Sequence, residues 1–492
     1  MSRPPNVLFV MVDQWPGKLL RTAGHESVIT PTIDHLARLG TRFTRAYSEC
    51  PICIPARRTV MTGTSPRTHG DRNFAPAMEM PALPTLAQAF RDGGYQAFAA
   101  GKMHVYPPRD RIGFDDIVLA EEGRPQLGAV DDYDIYLAEQ GFAGGQYLHG
   151  MNNNDYMHRP WHLEERLHVT NWTTREAAKL IKRRDPRKPG FWHVSYTHPH
   201  PPLVPLASYL NLYDIDHLDA PLEATWADEP LPRALASIRE YWPSHHTARE
   251  LRAIRRAFYA LCTHIDHQLR VLIGTLREEQ LLDDTIILVC SDHGDMLGDF
   301  GLWAKRLFYE ASAQVPMVLV GPAGDARVPA NHVDTRLVGL QDVMPTLLSL
   351  AGLPIPASVE GRSMVGGERR AALYGECKEN EQATRMAHDG RHKLIWYPAG
   401  NRVQLFDLEL DPQEQTDRHG LSAYAAVEEA RVCVLVENAW GVDRDWIANG
   451  RLVGFEARKG PHPADRKFGG QRGLHYPQPP LDDPTHAVGS PG

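Results

Sequence analysis

Val7-Leu8-Phe9-Val10-Met11-Val12, broken off at once by Asp13-Gln14, is the stretch on which the fold turns. A continuous apolar run with no polar alternation reads as a strand buried on both faces, the habit of parallel sheets covered by helices. The run ends on residues that carry chemistry, and open α/β sheets build their sites at the carboxyl ends of strands. Three other stretches follow the same plan. Gln96-Ala97-Phe98-Ala99-Ala100 leads into Gly101-Lys102-Met103-His104, Phe191-Trp192-His193-Val194-Ser195-Tyr196 into Thr197-His198-Pro199-His200, and Thr285-Ile286-Ile287-Leu288-Val289-Cys290 into Ser291-Asp292-His293-Gly294. A fifth run, Pro316-Met317-Val318-Leu319-Val320, comes soon after.

Helix patterns lie between these runs. Pro31 to Gly40 and Pro84 to Gly94 each carry Pro early and Gly late, the asymmetry of helix ends. From Thr247 to about Leu282, Leu251, Ile254, Phe258, Leu261, Ile265, Leu269 and Leu272 recur at spacings of three and four and make one apolar stripe. Strands alternating with helices predict an α/β sandwich around a large, mainly parallel sheet over residues 1–365. Beyond it, short strand-like runs separated by turn residues such as Asp389-Gly390 predict a small antiparallel sheet with one helix near Ala423 to Asn438, over residues 366–454. Residues 455–492, rich in Pro, Gly, His and charge, read as an extended arm, and one use of such an arm is to drape over a second copy in a homo-oligomer.

Bulk properties narrow the function classes. A chain of 492 residues with 42% hydrophobic and 23% charged content has the composition of a soluble globular protein. A net charge of −8 argues against a nucleic-acid partner. No apolar stretch reaches the ~20 residues that span a bilayer, and the start lacks a signal-peptide pattern, so no membrane association and a cytoplasmic location are expected. The 6 cysteines are too few for a disulfide framework in so long a chain. Cys50-Pro51-Ile52-Cys53 is formally a C-x-x-C, but no second such pair exists, and Pro51 and Pro55 make it a loop rather than a thioredoxin-like turn.

Asp13 with Gln14 and Asp292 with His293 stand at the ends of two buried strands, so the sheet can gather four O and N ligands. Such a thiolate-free set suits a hard or intermediate cation, Ca²⁺, Mg²⁺ or Mn²⁺. Either pair alone would more simply be a helix cap. Lys102 and His104, two apart on an extended segment, point to one side and suit an anionic substrate. His198 and His200 sit in a proline-stiffened run, and Lys305 follows Asp292-His293 after a short loop.

Cys53-Ile54-Pro55-Ala56-Arg57, continued as Arg58-Thr59-Val60-Met61-Thr62-Gly63, resembles the C-x-P-x-R signature of type I sulfatases, the stretch read by the maturing enzyme that oxidises the cysteine to formylglycine. Asn6 to Gln14, Pro31 to Phe43, Gly101 to His104, Pro199 to Pro202, Ser291 to Asp295 and Trp303 to Lys305 resemble sulfatase landmarks in the expected order. The resemblance implies an alkaline-phosphatase-like fold and one divalent cation, Ca²⁺ first among the candidates, held by Asp13, Gln14, Asp292, His293 and the modified Cys53. It implies sulfate-ester hydrolysis through a covalent sulfo-enzyme intermediate, with Arg57 and Lys102 fixing the diol and ester oxygens. His200 and Lys305 would serve the leaving group, His104 would release the product by taking a proton, and Asn73 would contact a small-molecule sulfate ester. Asp13-Gln14 and Asp292-His293, where many arylsulfatases have Asp-Asp and Asp-Asn, resemble choline sulfatases and phosphonate or phosphate ester hydrolases of the same superfamily. Phosphonate monoesters and phosphodiesters are therefore the neighbouring alternative, with the Lys102 and His104 pair favouring sulfate. A non-catalytic binding protein on this fold would be expected to have lost several of these positions, and none is lost. A two-metal phosphotransferase with a Ser or Thr nucleophile fits less well, because the strand-end ligands suffice for one metal.

Overall fold

The computed structural model describes residues 4–122, 128–151, 153–228 and 230–458. The apolar runs are strands of one sheet: β1 (Asn6–Asp13), β2 (Thr41–Tyr47), β3 (Gln96–Gly101), β4 (Asp116–Leu119), β5 (Gly190–Pro199), β6 (Thr285–Ser291), β7 (Met317–Val320) and β8 (His332–Gly339). They are ordered β4-β3-β5-β1-β6-β7-β2-β8. β1, β5 and β6 are buried along their whole length, which is why their sequences show no polar alternation. Alternate residues of β1 serve two cores. Leu8, Val10 and Val12 face one, and Val7, Phe9 and Met11 the other.

The first core is closed by the helix Ala248–Glu278, whose Ile254, Phe258, Leu261, Ile265, Leu269 and Leu272 form the expected buried stripe. Thr247 caps it in a reciprocal capping box with Glu250, and the helix stops short of Leu282. The second core is closed by the helices Cys53–Thr62 and Val343–Ala351. Each large apolar side chain so buried contributes about 1.5–3 kcal/mol relative to exposure, so these stripes decide where the helices dock.

Register carries the strand ends to one place. β1 pairs in parallel with β5 and β6, Val12 opposite Tyr196 and Ser291, and a bulge after Val12 sets Asp13 opposite Pro199. β3 pairs in parallel with β5, Gly101 opposite Ser195. The segments after β1, β3, β5 and β6 therefore meet at a single edge. β7 departs from the parallel plan by running antiparallel to both β6 and β2. The chain from Asp292 to Pro316 stays at the site edge and enters β7 from there, so β7 runs away from the site. β2, antiparallel to β7, points back toward the site edge and delivers Cys53 just beyond it.

The second sheet, β9 (Leu373–Cys377), β10 (Thr384–His388), β11 (His392–Tyr397) and β12 (Arg402–Asp407), is antiparallel in the order β12-β11-β10-β9. Gly390, at φ 99°, makes the β10–β11 turn. The helix Ala425–Asn438 covers this sheet through a separate cluster that includes Leu394, Trp396, Leu405 and Leu435. Phe455, where the extended arm is expected to begin, pairs with Ala399 and packs against Trp446 with the rings tilted and their centroids 5.0 Å apart. From residue 459 the arm lies outside the described residues. No helix among the described residues is long and apolar enough to cross a membrane.

Candidate active site

Cys53 is the first residue of the helix Cys53–Thr62, and its N-cap, Ile52, offers no side-chain acceptor to the free N–H groups. The positive end of the helix dipole is therefore left for whatever sits at Cys53. Arg57 follows one turn later and shares that face. Pro55 is tolerated because an N–H in the first turn has no intrahelical acceptor, so none is lost. The Cys-x-Pro-x-Arg spacing is thus a helix start that aims a reactive side chain and a guanidinium into one buried space.

Asp13, Cys53, Asp292 and His293 converge there, all buried, with one ligand atom from each lying within 4.8 Å of the others. Cys53 Sγ is 3.1 Å from His293 Nε2 and 3.7 Å from Asp13 Oδ1. His293 Nδ1 donates to Gly294 O at 2.9 Å, which turns Nε2 toward the cluster. Asp292 Oδ1 accepts from Gln14 N at 3.0 Å and from His293 N at 2.9 Å, and its Oδ2 accepts from Arg57 Nε at 3.0 Å. Two carboxylates, an imidazole and a sulfur that oxidation would replace by oxygen form a donor set that fits a divalent cation.

Fixed cations surround this set. Arg57 Nη1 donates to Lys102 O and to Ser195 Oγ, both at 2.8 Å. Its Nη2, buried without a hydrogen-bond acceptor among the described residues, stands 3.7 Å from Asp13 Oδ2. Lys102 Nζ is bonded to Asp13. Burial alone would raise the Asp13 pKa, but Lys102, His200 and Arg57 outweigh it and hold the carboxyl well below its usual range. For Cys53, burial and Asp13 push upward, and Lys305, Lys102 and His293 overcome them, so the thiol lies below its ordinary value.

The remaining expected residues fall into two groups. Lys102 and His104 do meet, though not as neighbours on one strand face. β3 ends at Gly101, and His104 at φ 56° lies in the loop beyond. Their side chains converge because both reach the buried carboxylate of Glu122. His200 reaches the same carboxylate, its Nδ1–H donating to Pro201 O at 2.7 Å, whereas His198 packs against His168. Burial and then Lys305 depress the His200 pKa well below its ordinary value, against Glu122 and Asp13. Lys305 Nζ donates to Gln14 Oε1 at 2.7 Å. Gln14 Nε2 is bonded to Asp295 and, at 3.1 Å, to Tyr156 Oη. The Gln14 carboxamide is therefore engaged beside the cluster by Lys305, Asp295 and Tyr156. Asn73, half-buried, donates to Glu379 Oε2 at 3.2 Å on the side of the second sheet.

Glu121, Glu122, Ser195, Tyr156 and Asp295 are absent from the sequence-based expectation. The signal for Glu121-Glu122 is the one used elsewhere, charged residues just past a strand, here β4. Tyr147, His149 and Trp161 line one cavity with Glu122 and His200.

The family model for sulfatases matches residues 5–353, and the model for the C-terminal region of N-sulphoglucosamine sulphohydrolase matches residues 298–437. An arylsulfatase of Clostridium perfringens is 34% identical over 467 residues, 91% of this chain and 97% of the relative. A choline-sulfatase of Rhizobium meliloti is 34% identical over 436 residues, 84% of this chain and 82% of the relative. The crystal structure of a phosphonate monoester hydrolase of Agrobacterium radiobacter superposes with a TM-score of 0.75 at 25% identity, covering 88% of this chain and 95% of that one. With the sulfatase model spanning residues 5–353 and a relative 34% identical along 91% of its length, the chain belongs to the sulfatase family of the alkaline-phosphatase-like superfamily.

Proposed function

We propose that the protein hydrolyses sulfate monoesters of small alcohols or phenols, using a divalent cation and a formylglycine made from Cys53 by a maturing enzyme. The observation that carries this reading is Cys53 at a helix start, inside a buried set completed by Asp13, Asp292 and His293. Asp13, Asp292 and His293, with the oxidised position 53 and the Gln14 carboxamide beside them, would hold the cation, Ca²⁺ being the first choice for so oxygen-rich a set. Once bound, the cation would supply Lewis acidity and charge neutralisation, and position 53 as a hydrated aldehyde would supply an oxygen nucleophile at neutral pH.

The chain's own residues do the rest. Arg57 and Lys102 set fixed positive charge where negative charge grows on the ester oxygens. His200, whose Nδ1–H is committed to Pro201 O, presents Nε2 to the leaving oxygen and gives it a proton, with Lys305 as the neighbouring cation. His104 accepts a proton from position 53 when the product departs. Tyr147, His149 and Trp161 supply an amphipathic wall beside His200 for the organic part of the ester.

The likeness to a phosphonate monoester hydrolase makes phosphonate and phosphate esters the second reading. One experiment tests both. Peptide mass spectrometry of protein from its native host is expected to find position 53 as formylglycine, and aryl sulfates are expected to be cleaved faster than matched aryl phosphates and phosphonates. An unmodified thiol with no ester cleaved, or full turnover by Cys53→Ala, would sink the proposal.

A further inference from the structure

Glu122 is a buried acid, 3% exposed, just past β4, and it touches three side chains to which chemistry has been given above. Its Oε1 accepts from Lys102 Nζ at 2.6 Å and lies 3.4 Å from His200 Nδ1, while its Oε2 lies 3.5 Å from His104 Nε2. The adjacent acid does a different job. Glu121 Oε1 accepts from Met103 N at 2.6 Å and His104 N at 2.9 Å, pinning the backbone of the loop whose side chains Glu122 gathers.

Charge accounting gives Glu122 a function. The charged groups around this space are Lys102 beyond β3, Lys305 and Asp292 beyond β6, Arg57 on the Cys53 helix and paired with Asp292 at 3.0 Å, Asp13 at the end of β1, Glu121 and Glu122. Three are cations. A further positive charge on an imidazole in so buried a place is strongly disfavoured unless an anion stands beside it. Asp13 and Asp292 belong to the metal-ligand set and Glu121 is taken by backbone N–H groups, whereas Glu122 stands 3.5 Å from His104 Nε2 and 3.4 Å from His200 Nδ1. His200 must carry a proton before it can give one up, and His104 must become cationic when it takes one. Each therefore passes through an imidazolium.

We infer that Glu122 is the shared counter-ion of the two imidazoles, a single carboxylate that stabilises the imidazolium of His200 through Oε1 and that of His104 through Oε2 without itself exchanging a proton. It is a positioning residue, and the roles it supports rest on the hydrolase reading above. The proton leaves His200 for the departing oxygen and another arrives on His104 from position 53. The carboxylate keeps its charge throughout, and the site never holds both imidazolium ions unneutralised.

Glu122→Gln keeps the shape and removes the charge. Two readouts decide the inference. The first is the imidazole ¹⁵N titration of histidine-labelled protein, assigned with His104→Asn and His200→Asn. Both pKa values are expected to fall by about one unit or more in Glu122→Gln and by less in Glu122→Asp. The second is kcat/KM on aryl sulfates with good and poor leaving groups, expected to fall about 10- to 100-fold on both, through kcat, with partial recovery in Glu122→Asp. A folded Glu122→Gln with both titrations unmoved, or a loss confined to KM, overturns the inference. Should Glu122→Gln fail to fold, the Glu122→Asp titrations decide by the same criterion. The titration needs no turnover, so a wild-type protein that leaves sulfate esters intact would refute the substrate reading while the counter-ion is still decided.

Discussion

Lys305 illustrates how much one side chain's role depends on its partners. Its ammonium is buried and donates to Gln14 Oε1, and the amide is held that way round because its NH₂ meets the Asp295 carboxylate, which can only accept. The cation is thereby parked beside the cluster, on the side of the site that also holds His200. Its proposed use is to stabilise charge on the departing oxygen, which matters in proportion to how badly that oxygen bears charge. Lys305→Ala is therefore expected to lower kcat/KM by about 10²-fold or more for esters of weakly acidic alcohols and by much less for a nitrophenyl ester. The measurement is the slope of log kcat/KM against leaving-group pKa, which should steepen; a parallel drop across the series would remove the assigned job. At this scale the sequence was legible where a family signature stands in it, as at Cys53 to Arg57; that Cys53 opens a helix was not, because Pro51 and Pro55 read as a loop. It was not legible at Glu122. β4 is short and its Asp116 is exposed, so no apolar run draws attention to the acids that follow.

Among the elements, the strands were readable because complete burial leaves an unbroken apolar run, and their chemistry was readable because it begins where the run ends. Strand direction was less legible. β7 looks like the others in composition, and only the path of the chain before it makes it antiparallel. The geometry of Lys102 and His104 likewise depends on a feature that lies just before them. Gly101 ends β3 at φ +107°, and a Cβ there would stand 1.9 Å from Ser195 O of the paired strand. Neither the backbone conformation nor the space admits a side chain. Gly101→Ala is expected to cost well above the ~1 kcal/mol of an average substitution and to lower turnover, because β3 must shift off β5 just where Lys102 emerges. Gly94→Ala is the control. Gly94 also has a positive φ, +85°, but nothing lies within 4 Å of its added Cβ, so only about 1–2 kcal/mol of backbone strain and full activity are expected. Denaturant midpoints and kcat for the two variants make the comparison, and equal costs would show that the β3–β5 approach is unimportant.

For the whole molecule, the question is what fixes the second sheet against the catalytic one. One face of the second sheet has a separate core with its helix, while Leu373, Met386, Ile395, Tyr397 and Phe406 on the other pack into the first core of the catalytic sheet. The polar part of the joint is not legible in sequence, because its residues are scattered from position 72 to position 443. Beside this apolar contact lies an ionic knot. Asp443 accepts from Arg72 Nη1 at 2.8 Å, from Arg385 Nε at 2.7 Å and from Arg385 Nη2 at 2.6 Å, while Arg72 also donates to Glu376 at 2.8 Å. The Arg72 guanidinium lies over the Trp440 ring at 4.1 Å. All four charged residues are buried, and Arg72 belongs to the loop leading from the Cys53 helix toward Asn73. Two guanidiniums against two carboxylates are balanced. Asp443→Asn keeps the size but leaves two buried cations on one anion, so a loss of about 3–5 kcal/mol is expected. That loss should be felt on both sides of the joint, with faster amide exchange in β9 and β10 and around Arg72. Glu379→Gln provides the contrast. Glu379 bonds the same Arg72 at 2.9 Å, but its side chain is 39% exposed, and solvent screening should limit its cost to under about 1 kcal/mol. Urea unfolding with hydrogen exchange distinguishes the cases. An Asp443→Asn protein as stable as wild type would mean that apolar packing holds the two sheets together and that the knot merely decorates it.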